Sequence, residues 1–298
     1  MNPRQYLLPP KGEGMTQKFI MIASSKGGVG KSTAALGITA ALSRKGYKVL
    51  IADLDFGNAC LDMLLGVQDS VICTVQDVAA GRASCEKALL KLKPRASKKK
   101  FGKGKNDNTA KGEVWLLPSS CGGVDCIPSY GGEDIEFGTD SVRTAVEEAA
   151  EHIGADYVIL DTGAGVNSAV ISAAEMSDIA LVVTGHMPVA LRSAEATAQR
   201  LSDFGVRDIR LIINAFDANG VIEEARRGVL SVIDNSRAPL AGIVPYDYKL
   251  MLSHEKAGVG SPDAYCAFSN IASRLEGENV PLFSNIKRLR KLKNKIYN

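Results

Sequence analysis

What this chain lacks narrows it first. No apolar run approaches the roughly 20 residues that span a bilayer, so no segment reads as a membrane-spanning helix. The opening stretch MNPRQYLLPPKGEG has no apolar core behind a basic end, so no secretory signal is expected. Neither sign of charge is in excess: 36 Lys and Arg against 33 Asp and Glu leave +3, too little to imply a partner. The six cysteines contain no CxxC pair and no regular framework, which fits reduced thiols in a cytoplasmic protein. Internal repeats are missing as well. What remains is an ordinary soluble composition, 45% hydrophobic over 298 residues, near the upper limit for a single core.

The apolar segments alternate in kind. Short runs rich in Val, Ile and Leu predict strands at 18–24, 47–55, 114–119, 156–161, 178–185, 209–215 and 240–246. Helical spacing predicts helices at 32–45, 141–154, 190–204, 221–233 and 262–276, with Asp140 or Ser141 capping the second. Near-continuous apolar strands, each followed by a helix, imply an α/β fold: a doubly wound, mostly parallel sheet covered on both faces. One interval breaks the rhythm. Residues 91–111, KLKPRASKKKFGKGKNDNTAK, carry nine basic residues and one acid. With almost nothing to bury, this stretch is expected to be a mobile insertion. A solvated loop is the simpler reading, and contact with nucleic acid or an anionic surface is the alternative.

The chemistry concentrates in SSKGGVGKST, residues 24–33, between the first strand and the first helix. Gly27, Gly28 and Gly30 let the backbone wrap closely with its amides inward, and the helix N-terminus adds a positive dipole end. Lys31 is placed to bridge the β- and γ-phosphates, and the Ser32 hydroxyl to hold Mg²⁺. The match to G-x-x-x-x-G-K-[ST] is imperfect, because Ser25 occupies the first glycine position. Lys26 is a second lysine that such a loop does not require; taken alone, it is also a plain solvated lysine. Asp53 and Asp55 end the second strand and Asp161 ends a later one, where carboxylates hold Mg²⁺ or meet solvent.

SKGGVGKST resembles the deviant phosphate-loop motif KGGxGK[ST] of the MinD/ParA ATPases, in which the first glycine is not required. The resemblance continues in IADLDFGNACLDMLLG (51–66), VILDTGAG (158–165), LIINAF (211–216), GIVPYDYKLMLSHEKAG (242–258) and AYCAFSNIASRLEGENVPL (264–282). It implies a P-loop NTPase of the SIMIBI type over residues 17–281, preceded by an extension (1–16) and interrupted by the lysine-rich insertion. It implies ATP held by Gly27, Gly28, Val29, Gly30, Lys31, Ser32 and Thr33, and Mg²⁺ held by Ser32, Asp53 and Asp161. By the same resemblance Lys26 reaches the nucleotide of a second subunit in an ATP-bound homodimer, and Asp55 orients the attacking water. Asn214 would read the adenine edge, flanked by Pro245 to Asp247, although Asn after a strand is also a common turn former. Cys60 departs from the family pattern, which usually has asparagine there.

The C-terminal stretch 282–298 holds a second basic cluster. Leu282, Ile286, Leu289, Leu292 and Ile296 form one apolar stripe at helical spacing. Six Lys and Arg lie beside it with no acid. Such a helix suits an anionic membrane surface, as the resemblance also implies, or docks on its own domain. The expectation is an ATPase switch at the inner face of the cell membrane that places division machinery through an activating or cargo protein. A DNA-partition ATPase, a flagellar-number regulator and a metallocluster carrier are the alternatives. DNA binding needs cations but no aligned Leu and Ile, so nucleic acid is the weaker partner.

Overall fold

Strands buried on both faces, with glycine turns and amphipathic helices between them, assemble into one sheet in the computed structural model. It describes residues 17–24, 26–92, 112–120, 126–128, 134–136, 138–216, 238–247, 250, 262–280 and 282. In chain order the elements are β1 (Lys18–Ala23), α1 (Lys31–Arg44), β2 (Val49–Leu54), α2 (Leu61–Leu65), α3 (Val75–Ala79), α4 (Cys85–Ala88), β3 (Leu90–Leu92) and β4 (Val114–Leu117). They continue with β5 (Cys126–Pro128), β6 (Asp134–Glu136), α5 (Thr139–Ile153), β7 (Tyr157–Thr162), α6 (Ser168–Met176), β8 (Ile179–Thr184), α7 (Pro188–Asp203), β9 (Asp208–Phe216), β10 (Leu240–Pro245) and a last helix, α8 (Pro262–Leu275).

The main sheet has eight strands in the order β10-β9-β8-β1-β7-β2-β4-β3. Its pairings are parallel except at the edge, where β3 runs antiparallel to β4. From β1 the chain crosses to β2 on one side, then returns through β7 to β8 on the other. That reversal opens a crevice at the carboxyl end of β1, where doubly wound sheets bind ligands.

Strand alternation sorts the core into two layers. Ile20 and Ile22 of β1, Val49 and Ile51 of β2 and Tyr157 and Ile159 of β7 face α1 and α8. Met21, Leu50, Val158 and their strand neighbours face the opposite layer, built largely on α5 and α6. Asp53 and Asp161 continue the first series, so both point to the layer that holds α1. Helices α1 and α8 pack closely at Gly37, where a Cβ would stand 2.5 Å from the Phe268 ring.

Several expectations shift. Lys91 and Leu92 are not part of a mobile insertion: they lie in β3, with Lys91 bonded to Glu113 and stacked over Trp115. Helix α5 begins two residues before Ser141, with Gly138 as its cap and no side-chain cap. Short elements α2, α3, α4, β5 and β6 and the helix α6 were not expected. The extension 1–16, residues 93–111 of the insertion, the helix expected at 221–233 and nearly all of the stretch 282–298 lie outside the described residues. No helix among the described residues is long and apolar enough to cross a membrane.

Candidate functional site

The loop between β1 and α1 is shaped by backbone constraints. Gly28 and Gly30 take φ of +76° and +91°, a region that costs residues with a Cβ about 1–2 kcal/mol. Gly30 is the N-cap of α1 and contributes no side-chain cap. The first amides of the helix are thus left to an anionic ligand rather than to the protein's own cap. Ser24 donates its hydroxyl hydrogen to the Lys26 carbonyl at 2.8 Å and pins the loop entry. Lys31 is buried at the start of α1, whereas Lys26 is exposed with Gly27 and Gly28. The two lysines therefore occupy different environments: one lies inside its own loop, the other is available to a neighbour.

Asn214 reaches the same loop from β9. Its Nδ2 donates to the Val29 carbonyl at 2.8 Å, and the side chain is buried. A Cβ on Gly30 would stand 2.2 Å from that nitrogen, so glycine is needed there for space as well as for φ. Ala215, next in the chain, holds a positive φ of 50°, at a register shift between β9 and β10. The structure thus gives Asn214 a loop-anchoring bond that the sequence does not reveal; its second amide hydrogen and its oxygen can still meet a base edge. Pro245 and Asp247 lie at the adjoining end of β10, one strand farther from the loop.

The carboxylates divide their labour. Asp53 and Asp161 are register partners on β2 and β7, and both are 1% exposed. Asp53 accepts three backbone N–H groups, from Asp55, Cys60 and Leu61, each at 3.1 Å. That leaves it little acceptor capacity. Beside the place expected for it in the Mg²⁺ shell, Asp53 therefore anchors the loop after β2. Asp161 is the reverse case: neither oxygen has a hydrogen-bond partner. Burial first, and the Asp53 charge second, raise its pKa; the nearby Ser32 hydroxyl and Lys31 ammonium oppose the shift. Burial also raises the pKa of Asp53, against its amide donors.

Asp55 lies just beyond β2 and is half-buried. It stands close to Gly163, where an added Cβ would be 2.9 Å from Asp55 Oδ1. Thr162 donates to the Ile22 carbonyl at 2.9 Å and ties the end of β7 to β1. Ser24, Thr162 and Gly163 were missed as site residues. Gly163 had a visible signal in DTGAG; the other two look like any strand-end hydroxyl. Cys60 comes into the site with its Sγ 3.4 Å from Ser32 Oγ, and burial pushes its thiol up to about 11.

An unpartnered buried carboxylate beside a hydroxyl, at the mouth of an amide-lined loop with a buried lysine, fits a divalent cation held with phosphates. Ser32 and Asp161 are the residues that would hold it. The rest of the cradle, Gly27 to Thr33, has the form such a ligand needs.

Comparison with known proteins agrees with this geometry. Residues 20–257 match the model of the CobQ/CobB/MinD/ParA nucleotide-binding domain. The septum site-determining protein MinD of Synechocystis sp. is 30% identical over 273 residues, 89% of this chain and 91% of that protein. Among solved structures, the MinC:MinD cell division complex of Aquifex aeolicus is 28% identical, covers 90% of this chain and 98% of its own, and superposes with a TM-score of 0.71. MinD of Pyrococcus horikoshii, solved with Mg-ADP, shares the fold at 23% identity, covering 88% of this chain and 96% of its own, with a TM-score of 0.63. This chain therefore belongs to the CobQ/CobB/MinD/ParA family of P-loop ATPases.

Proposed function

We propose that this protein is a MinD-type ATPase switch that regulates where cells divide. The observation that carries its chemistry is Asp161, buried without a partner beside Ser32 at the mouth of the phosphate loop. Lys31 and the α1 amides bind the phosphates of ATP; Asn214 holds the loop in place and presents its free amide valences to the base. Mg²⁺, held by Ser32 and Asp161, would offset phosphate charge when bound. Asp55, half-buried against Gly163, orients the attacking water. Lys26 is exposed on the loop and reaches the phosphates bound by a second copy, so the dimer forms only around intact triphosphate. The paired C-terminal stretches then hold the dimer on the anionic inner face of the membrane, and a partner protein stimulates hydrolysis and release. The Aquifex aeolicus relative is found in a MinC:MinD complex, which supports a cell division protein as a partner of this chain.

The two lysines test this reading. Lys31→Ala should weaken ADP binding at least about 100-fold by calorimetry, because the amides alone cannot offset the phosphate charge. Lys26→Ala should keep ADP affinity within about threefold yet remain monomeric by light scattering with ATP, where wild type dimerises. A Lys26→Ala protein that dimerises as wild type does would remove the cross-subunit role.

A further inference from the structure

Cys60 is a residue of the site that the proposed chemistry leaves unused. Three bonds fix its place. Its own N–H and that of Leu61 are both held by Asp53 Oδ2 at 3.1 Å, and its thiol meets Ser32 Oγ at 3.4 Å. Ser32 is the hydroxyl assigned to the cation. Independently, Asp161 is buried nearby with neither oxygen partnered, so the position already calls for positive charge. A hydroxyl and a sulfur thus meet at 3.4 Å, with a buried carboxylate near enough to bear on both. Among the described residues no three His, Cys, Asp or Glu side chains are assembled as a ready metal centre. The position depends on the Ser32 hydroxyl and on what enters with the nucleotide.

The spacing suits joint ligation by sulfur and oxygen. Metal–sulfur and metal–oxygen bonds of about 2.3 and 2.1 Å, closing the 3.4 Å edge from Cys60 to Ser32, subtend about 100° at the metal. That angle lies between octahedral and tetrahedral. Mg²⁺ prefers oxygen and gains nothing from sulfur, whereas thiolate selects softer ions. We infer that Cys60 makes the cation position at Ser32 receptive to a thiophilic divalent cation of the Zn²⁺ and Cd²⁺ class, in competition with Mg²⁺. On binding, the thiol releases its proton to solvent and the sulfur gives a lone pair to the metal; no electron is transferred. The inference rests on the nucleotide-site reading above.

The test titrates Cd²⁺ into the reduced full-length chain and follows the thiolate-to-metal charge-transfer band in the ultraviolet. Wild type should show a component that disappears in Cys60→Ser and persists in Cys73→Ser, which alters a cysteine packed against the opposite core layer. Ser32→Ala should weaken that component about tenfold or more, and excess Mg²⁺ with ADP should displace it. Circular dichroism melts confirm that the variants are folded, and Cys60→Asn serves if Cys60→Ser is not. Identical bands in wild type and both Cys60 variants, with normal Mg-ADP binding by calorimetry, would overturn the inference and leave the nucleotide site standing. Failure of wild type to bind Mg-ADP at all would overturn both.

Discussion

A carboxylate that is 1% exposed with no donor on either oxygen destabilises the chain that carries it. Because burial and the Asp53 charge raise the pKa of Asp161, the folded state keeps this proton where the unfolded chain has lost it. Stability from this group is therefore present below the unfolded pKa and is lost as pH rises through the folded one. The metal-free, nucleotide-free protein should accordingly gain more Tm from Asp161→Asn at about pH 8.5 than at about pH 5. The same change should lower the Mg²⁺ dependence of ADP affinity by about tenfold or more. Equal gains at both pH values would mean that the folded carboxylate is already charged at about pH 5, so that burial does not raise its pKa. Glycines give a second contrast. Gly30→Ala meets Asn214 at 2.2 Å with φ at +91°, so it should cost about 1–3 kcal/mol in urea melts. Gly27→Ala meets nothing within 4 Å and should stay within about 0.5 kcal/mol. The loop residues and Asp161 are legible in the sequence because strand, glycine turn and helix fall in order around them. The work of Asn214 and Asp53 is not. The first bond spans 185 positions and the second depends on loop amides, and neither leaves a mark on residue type.

Elements follow their periodicity where they are long enough to show one. The seven expected strands and helices α1, α5, α7 and α8 appear within about two residues of their expected ends, the usual fraying at helix termini. Helices α2, α3 and α4 have five, five and four residues. A turn and a half is too short for a 3.6-residue pattern to declare itself. Helix α6, SAVISAAEM, is long enough but small and apolar along most of its length, so no polar face marks it. Its Asn167 cap, which accepts the Val170 amide, was the available signal. Strand β3 hides at the start of a polybasic run because three residues carry little pattern. The α1–α8 contact supplies the test at this scale. Alanine is preferred to glycine inside a helix by about 1 kcal/mol, yet a Cβ at Gly37 would press on the Phe268 ring from 2.5 Å. Overpacking costs about 1–3 kcal/mol, so Gly37→Ala should lower the urea midpoint. Adding Phe268→Leu should recover part of the loss. A stabilised single variant would show that the helices separate freely.

For the whole molecule, alternation of apolar strands and helices was enough to read a doubly wound sheet, whereas strand order waited on the structure, since several orders satisfy the same alternation. That order places α1, which begins at the glycine-rich loop, in the same core layer as α8, the last described helix. The ends of the two helices are tied: Lys45 pairs with Glu276 and with Glu278, and the Tyr47 hydroxyl donates to Glu276 at 2.5 Å. Residues 276 and 278, just after α8, are therefore fixed to the end of α1. By its sequence, one copy of the C-terminal stretch 282–298 offers apolar residues at helical spacing and basic residues worth about 1 kcal/mol each near an anionic surface, less in salt. Alone it should bind weakly. Two copies in a dimer act at a high effective concentration and can raise avidity by about 10²-fold or more with no new contact. The full chain should therefore co-sediment with vesicles of phosphatidylglycerol and phosphatidylethanolamine about 100-fold better with ATP than with ADP. Ile286→Glu or Leu289→Glu puts a charge in the stripe and should abolish that binding while ATP-driven dimerisation persists. Raising the salt should weaken wild-type binding, because the cations contribute through screened attraction. If the Glu variants sediment with vesicles as wild type does, or if ATP drives the chain onto duplex DNA and not lipid, the membrane role falls and the partition reading takes its place.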